Sequence, residues 1–311
     1  MPSPQDIFRA GSPITTAINL LGLLQDLPGH WTGKGFNLIA RPALQGKPAG
    51  PANPVFFLEL NGTHETLEFT TIAGDIPNRG DIEPNALLHG VHYLQTVSDC
   101  EDNSFIHKEP GLWIHVPATK ENSTDTYIRH ATIPHGNSLV AQSTLFTTLP
   151  GGPNIQPVNS FPFPITDPIP PLNDITHATT TNPQYLAPYL NDPLPPDCMP
   201  KGLNAAQTIK DPTEVLRAQI KDQNIVETAV IQISTAGLEF GGILNIPFLI
   251  KNANTTQMDA IFWIEKAKNP TKNPGDPNPQ FMQLQYVQRV ILDFAGLHWP
   301  HISVATLVKA G

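Results

Sequence analysis

Charge is scarce in this chain of 311 residues: 14% are Asp, Glu, Lys or Arg, the net charge is −9, and no lysine or arginine cluster occurs. That excludes the electrostatic footprint of a nucleic-acid or anionic-membrane binder, so no nucleic-acid and no membrane partner is expected. Small neutral partners fit better. Aromatic residues occur without interleaved basic ones, which removes a stacking platform for single strands. No run approaches the roughly 20 apolar residues that a spanning helix needs. Cysteine is limited to Cys100 and Cys198, whereas a secreted chain so rich in loops usually carries more bridges. The first ten residues are polar, with Asp6 and Arg9 in place of a signal pattern. A cytoplasmic location is therefore expected, and the sequons at Asn61, Asn122 and Asn254 read as chance. G-x-S-x-G, G-x-x-x-x-G-K, paired C-x-x-C and H-E-x-x-H motifs are all missing, which withdraws the reactions they support. The acidic pair Glu65 and Glu68 reads as solvated surface charge.

Proline and glycine, by contrast, are plentiful, at 34 and 22 residues, so irregular segments are extensive and long helices cannot fill the chain. The spacing predicts a short helix over 13–27, capped by Thr15 or Thr16 and stopped by Pro28-Gly29. Gly29-His30-Trp31-Thr32-Gly33-Lys34-Gly35-Phe36 follows, a strand whose alternate glycines let another backbone come close or let the strand bend as barrels require. A Pro/Gly-rich loop over 41–54 separates it from a strand at 55–60, and Asn61-Gly62 signals a hairpin into 65–72. On the next strand, 87–97, His89 and His92 point opposite ways, so their spacing is useless for chelation. Residues 105–116 read as a tight corner and a strand. Strands at 126–133 and 138–146 flank a turn in which His135 reads as a turn residue.

From 150 to 200 the chain holds fourteen prolines and little periodicity, so neither helix nor interior strand runs far there. The apolar Phe161, Phe163, Tyr185 and Tyr189 make this insertion too hydrophobic for a free tether. It is expected to pack on the barrel, over its mouth, or on a second subunit, which leaves a homodimer open. Asp211-Pro212-Thr213-Glu214 starts a helix. Strands are expected at 226–234, 242–250 and 258–266, then an Asn/Pro-rich loop over 269–280. The last stretch, 281–309, is a hairpin joined by Ala295-Gly296. Its first strand places Met282, Leu284, Tyr286 and Val290 on one face and Gln283, Gln285 and Arg289 on the other. Its second strand sets His301 in phase with Ser303, Ala305 and Leu307, small residues expected to leave open space beside the imidazole. His298 should face the other side. The expected fold class is all-β: one domain, 1–311, built as an antiparallel closed β-barrel of about ten strands (29–146 and 226–309), with short helices and a long Pro-rich insertion at 150–210.

Four short motifs, in order, resemble the nitrobindin family of haem-binding β-barrels, related in shape to fatty-acid-binding proteins and lipocalins. They are Gly29-His30-Trp31-Thr32-Gly33-Lys34-Gly35, similar to an opening G-x-W-x-G-x-G strand; His92-Tyr93 followed by His107-Lys108-Glu109-Pro110-Gly111, similar to an H-x-E-x-G corner; Val140-Ala141-Gln142; and Pro300-His301-Ile302 at the start of the last strand. The insertion has no counterpart there. The resemblance implies haem b as cofactor, with His301 as metal ligand, His107 as the catalytic residue on the distal side and Trp31 as a further cofactor contact. It implies a small diatomic or peroxide ligand and an activity of the peroxynitrite isomerase or haem peroxidase type. Carriage of a fatty acid or other apolar small molecule without iron is the second expectation, since apolar pockets serve both purposes.

Overall fold

The structure is a computed structural model and describes residues 18–43, 55–82, 84–120, 122–236, 241–269 and 280–310. Thirteen strands are found among them: β1 Gly29–Pro42, β2 Phe56–Thr71, β3 Ile76–Asn78, β4 Ala86–Asp99, β5 Phe105–Val116, β6 Thr126–Ile133, β7 Asn137–Pro150, β8 Phe163–Pro164, β9 Ile225–Ser234, β10 Gly242–Asn245, β11 Asn254–Lys268, β12 Gln280–Phe294 and β13 Leu297–Lys309. Ten of them pair in the order β1-β2-β4-β5-β6-β7-β9-β11-β12-β13, and β13 returns to β1. Every pairing is antiparallel, so the sheet is a closed barrel without a free long edge.

Closure brings β1 and β13 backbones together where side chains are smallest. A Cβ on Gly33 would lie 2.0 Å from the Thr306 carbonyl oxygen. One end of the barrel is plugged by the turn of 3-10 helix Gly22–Leu24, which buries Leu21, Leu24 and Leu27 against Trp31. Of the helix expected over 13–27, residues 13–17 lie outside the described ones. The remainder is no regular helix, because Gly22 adopts φ +57°. Its Cβ-free face meets the Tyr127 hydroxyl, which accepts from Leu23 N at 3.0 Å.

Along each barrel strand the alternation divides inside from outside. Met282, Leu284, Tyr286 and Val290 point inward, and Gln283, Gln285 and Arg289 outward, yet these three polar residues are buried. The insertion covers them. Ile155, Phe161, Tyr189, Ile209 and Leu216 pack against Phe36, Leu38, Trp263, Trp299 and Val304 on the outer wall of β1, β11 and β13. Of the three places open to the insertion, the wall is the one it takes. Its helices are short: Pro183–Asn191, Ala205–Lys210 and Thr213–Ile220. The last starts at Thr213 with Pro212 at its N-cap, one residue later than the Asp211 cap expected, and Asp211 Oδ1 accepts from Thr213 N at 3.2 Å. Arg289, 1% exposed, donates to Asp259 and to the Pro170 carbonyl, each at 2.7 Å, tying the insertion to the barrel.

Four local expectations are corrected. Asn61-Gly62 makes no hairpin, because β2 runs unbroken from Phe56 to Thr71. Gly62 is there for close approach: its Cβ would stand 2.3 Å from the carbonyl oxygen of Asp197. Residues 105–116 form strand throughout rather than a corner. The strand expected over 242–250 stops at Asn245, since Pro247 opens the helix Pro247–Asn252 from its first position. Glu65 is 3% exposed, so only Glu68 is a surface charge.

The cysteines are paired. Cys100, after β4, and Cys198, late in the insertion, form a disulfide with Cα atoms 6.1 Å apart, 98 positions apart in sequence. Such bonds persist in oxidising surroundings, so the cysteine count no longer supports a cytoplasmic location. No helix among the described residues is long and apolar enough to cross a membrane. Replacing Cys100 by serine is expected to lower the unfolding free energy by about 2–5 kcal/mol, measured by urea denaturation under oxidising conditions. A midpoint unchanged from wild type would show that the bridge does not constrain the fold.

Candidate functional site

The inward faces of β2, β4, β5, β6 and β12 carry polar residues at the level where a ligand-binding barrel would be hollow. On β5 and β6, Glu109 and Arg129 are 1% and 3% exposed. Arg129 Nη2 lies 2.5 Å from Glu109 Oε1, its Nε donates to the Tyr93 hydroxyl at 2.9 Å, and its Nη1 donates to Gln288 Oε1 at 2.6 Å. The Tyr93 hydroxyl donates to the same Glu109 oxygen. Aromatic faces of Tyr93 and Phe262 flank the guanidinium at 5.5 and 5.4 Å. Burial raises the cost of the Glu109 charge, but Arg129, with His107 and Tyr93, outweighs it and holds the carboxyl down to about 2.

On β2, Glu65 accepts from Tyr286 at 2.7 Å, from Thr63 at 3.0 Å and, at 3.1 Å, from Gln95, the register partner of Glu109 on β4. No cation is among these partners. Burial therefore dominates and pushes its carboxyl above the usual range, only partly offset by the three donors. Two buried carboxyls face one lumen in opposite electrostatic settings.

These side chains fill the barrel. The space left beside Tyr93, Arg129 and Tyr286 is about 10 Å³, and a second void lined by Leu24, Trp113 and Phe262 is also about 10 Å³. Each is near the roughly 10–15 Å³ that one water needs, whereas ligand pockets span about 300–1,000 Å³. The open space expected beside Ser303 and Ala305 is absent for a related reason. A Cβ at Gly35, the register partner of Ala305, would lie 2.7 Å from Thr63 Oγ1 and 2.8 Å from Glu65 Oε1. Small residues here make room for the buried polar network, not for a ligand.

Beyond the network lies the end of the barrel opposite the plug, which we call the mouth. His301 is part-buried there, and its Nε2 lies 2.7 Å from Asn37 Oδ1, which also accepts from the Ser303 hydroxyl at 2.9 Å. An amide oxygen cannot donate, so Nε2 carries the proton and Nδ1 keeps its lone pair. Nδ1 makes no hydrogen bond among the described residues. Burial first, then repulsion from His107 and His135, pushes the His301 imidazole down to about 3. It is neutral at any physiological pH.

His107 reaches the same end, its Nε2 3.4 Å from Glu109 Oε2 and its ring centroid 5.7 Å from that of His135. His135 occupies the β6–β7 turn as expected, and the turn brings it to the mouth. Beside it Ile246 packs over Gly136, and Leu244, Ile246, Phe248 and Ile250 expose an apolar shelf. Trp31, however, is no part of this end. It is fully buried, donates to the Leu27 carbonyl at 2.7 Å, and pairs with Lys309 in the plugged end. Six residues separate it from Asn37, about 20 Å along a strand. His298 is also elsewhere, held by Asp293 at 2.5 Å and by Phe163 of the insertion.

Neither void would take a porphyrin, but the mouth carries a histidine of the kind that could hold one. A neutral imidazole with one ring nitrogen anchored and the other free to bind is the usual state of a metal-bound histidine. Asn37, Glu109 and Arg129 were not singled out from the sequence. Glu109 lies inside the H-x-E-x-G segment, which was its one signal.

No family model matches the sequence, and no curated protein matches it. Among solved structures the chain is similar to one described as "Crystal Structure of Rv2717c from M. tuberculosis", with 12% identity over 97% of this chain and 100% of that one, and a TM-score of 0.41. A likeness of that degree carries no argument. The fold rests on its strand pairing.

Removing the guanidinium tests the network. Arg129→Met leaves Glu109 buried without its counter-charge, at an expected cost of about 3–5 kcal/mol near neutral pH. In the wild type the Glu109 carboxyl is held down to about 2 against an ordinary 4.5, so its contribution is complete above 4.5 and is lost as pH falls from there toward 2. In the variant burial raises that carboxyl, so acidification relieves the charge. The gap between the two proteins in urea unfolding should therefore narrow from about pH 7 to about pH 4. An equal gap at both pH values would contradict the assignment.

Proposed function

We propose that the mouth binds a flat apolar cofactor of the haem b class, which His301 would hold through Nδ1, with a small diatomic or peroxide molecule as the exchangeable partner. The observation that supports this reading is the His301–Asn37–Ser303 arrangement, which fixes the ring and its tautomer and leaves Nδ1 without a hydrogen bond among the described residues. When bound, a haem iron held by one protein nitrogen supplies an open coordination position with Lewis-acid and redox chemistry. The reaction class we infer is conversion of reactive nitrogen or oxygen species, of the peroxynitrite isomerase or peroxidase type.

The chain's own contributions are positional. Asn37 and Ser303 hold the His301 ring, while burial keeps it unprotonated. Glu109 orients His107 through Nε2 and leaves Nδ1 of that ring as the atom able to exchange a proton with a ligand at the mouth. The polar network closes the barrel behind the site. Carriage of an acyl chain inside the barrel has less support, because the voids beside Tyr93 and beside Trp113 are each about 10 Å³.

Hemin titration followed by absorption tests the proposal. The wild type should form a complex of one hemin per chain whose Soret band is unchanged between about pH 8 and about pH 5, since an imidazole held down to about 3 stays available throughout. His301→Ala should lose that band position and the saturable stoichiometry. If the variant takes up hemin with the same spectrum and stoichiometry, His301 is not the ligand.

A further inference from the structure

On the outer wall near the mouth, away from His301, three potential metal donors converge. His64 Nε2 on β2 lies 3.7 Å from Cys198 Sγ. Together with Cys100 Sγ these ligand atoms all fall within 4.8 Å of one another, the one group of three or more His, Cys, Asp or Glu residues among those described that does so. His64 is exposed and both cysteines are half-buried, so the group is open to small solutes.

Their convergence does not rest on the sulfur–sulfur bond alone. Cys100 N donates to the Gly62 carbonyl at 2.9 Å, which fixes the first cysteine to the strand that bears His64. The backbone of Asp197 lies so close over Gly62 that a Cβ would meet its oxygen at 2.3 Å, and Cys198 follows with φ +65°. Asn61 Nδ2 donates to Asp99 Oδ2 at 2.8 Å, bracing the turn that leads to Cys100. The Cys100 backbone bond to Gly62 and the passage of Asp197 over Gly62 set both sulfurs beside the imidazole.

We infer that these residues form a redox-switched metal site: a disulfide clasp when oxidised, and when reduced a Cys100, Cys198 and His64 site for a borderline-soft divalent cation of the zinc class. Two thiolates and an imidazole are the donor set that selects such ions over magnesium or calcium. Tetrahedral bonds of about 2.3 Å to sulfur and about 2.0–2.1 Å to nitrogen need ligand atoms spaced as these can be after a small separation of the sulfurs. A fourth position is left to water.

The switch is a two-electron step. A dithiol reductant attacks one bridge sulfur as thiolate, expelling the other as thiolate and forming a mixed disulfide. Its second thiol closes on that intermediate, releases the second cysteine thiolate and departs as a cyclic disulfide. Oxidation of the two thiolates by hydrogen peroxide, which takes two electrons from them and two protons from solvent and leaves as two waters, restores the clasp and expels the cation. The bridge thereby anchors the insertion in one redox state, and the metal anchors it in the other.

The full-length protein, reduced with a phosphine, desalted and titrated anaerobically with Co²⁺ alone, tests this. The reduced wild type should bind one Co²⁺ with the visible bands of a tetrahedral site and thiolate-to-metal charge transfer, and added Zn²⁺ should bleach them. The air-oxidised protein should show none. His64→Ala, an exposed substitution that the fold tolerates, should weaken binding at least as much as the roughly 10–100-fold that loss of a supporting group costs. Absence of charge transfer in the reduced wild type overturns the proposal, a comparison that needs no variant. Equal affinity of wild type and His64→Ala, or bands that persist after oxidation, does so too.

Discussion

The interaction on which the rest of the molecule depends is the buried pair of Arg129 and Glu109, 2.5 Å apart at the centre of a closed barrel. Desolvating two charges costs several kcal/mol each unless they are paired and their remaining hydrogen-bonding atoms are used. Here Tyr93, Gln288 and His107 complete the set. The barrel is thus plugged twice, by an apolar layer around Trp31 at one end and by this polar layer toward the other. What chemistry the protein has is displaced to the mouth. His107 is the link, since it touches both the buried carboxylate and the solvent-accessible rim.

The outer wall obeys the same constraint in reverse. Apolar residues on β1, β11, β12 and β13 face outward and require a cover, which the proline-rich insertion provides without long regular elements. Proline is suited to this, because it has already lost the backbone freedom that a coil surrenders on docking. Phe161, Tyr189 and Ile209 supply apolar area, while Arg289 and the Cys100–Cys198 bridge hold the strap in register. A segment that resembles a linker by composition is, in packing, the outer half of the core.

Strand alternation was legible where each strand decided its own pattern. β6 lies at the residues expected, Thr126–Ile133, and the closing hairpin has the faces its period assigned. What depends on closure was not legible. Whether Glu65 looks into a lumen or into water is the same period-two pattern seen from either side. The Gly62 conformation is explained by Asp197, 135 positions away, so the local Asn-Gly signal pointed to a turn that the chain does not make. Cys100 and Cys198 gave no sign of pairing because nothing near either one encodes a partner 98 positions away. Lumen volume escaped for the same reason: Tyr93, Arg129 and Tyr286 come from separate strands and exclude a ligand only jointly. His301, by contrast, was placed at an inward position by phase alone, and Asn37 became its partner only through the β1–β13 register.

The central claim is that a charged, fully paired layer seals the lumen below the mouth. Carbon-detected NMR of the protein labelled at glutamate side-chain carboxyls, with Glu109 assigned through Glu109→Gln, measures that layer directly. The Glu109 signal should stay in its ionised position as pH is lowered through 4.5, consistent with a carboxyl held down to about 2. A Glu109 carboxyl that titrates near 4.5 with the free shift of an exposed side chain would mean that the lumen is hydrated and open, and the account of a sealed barrel with its chemistry confined to the rim would be wrong.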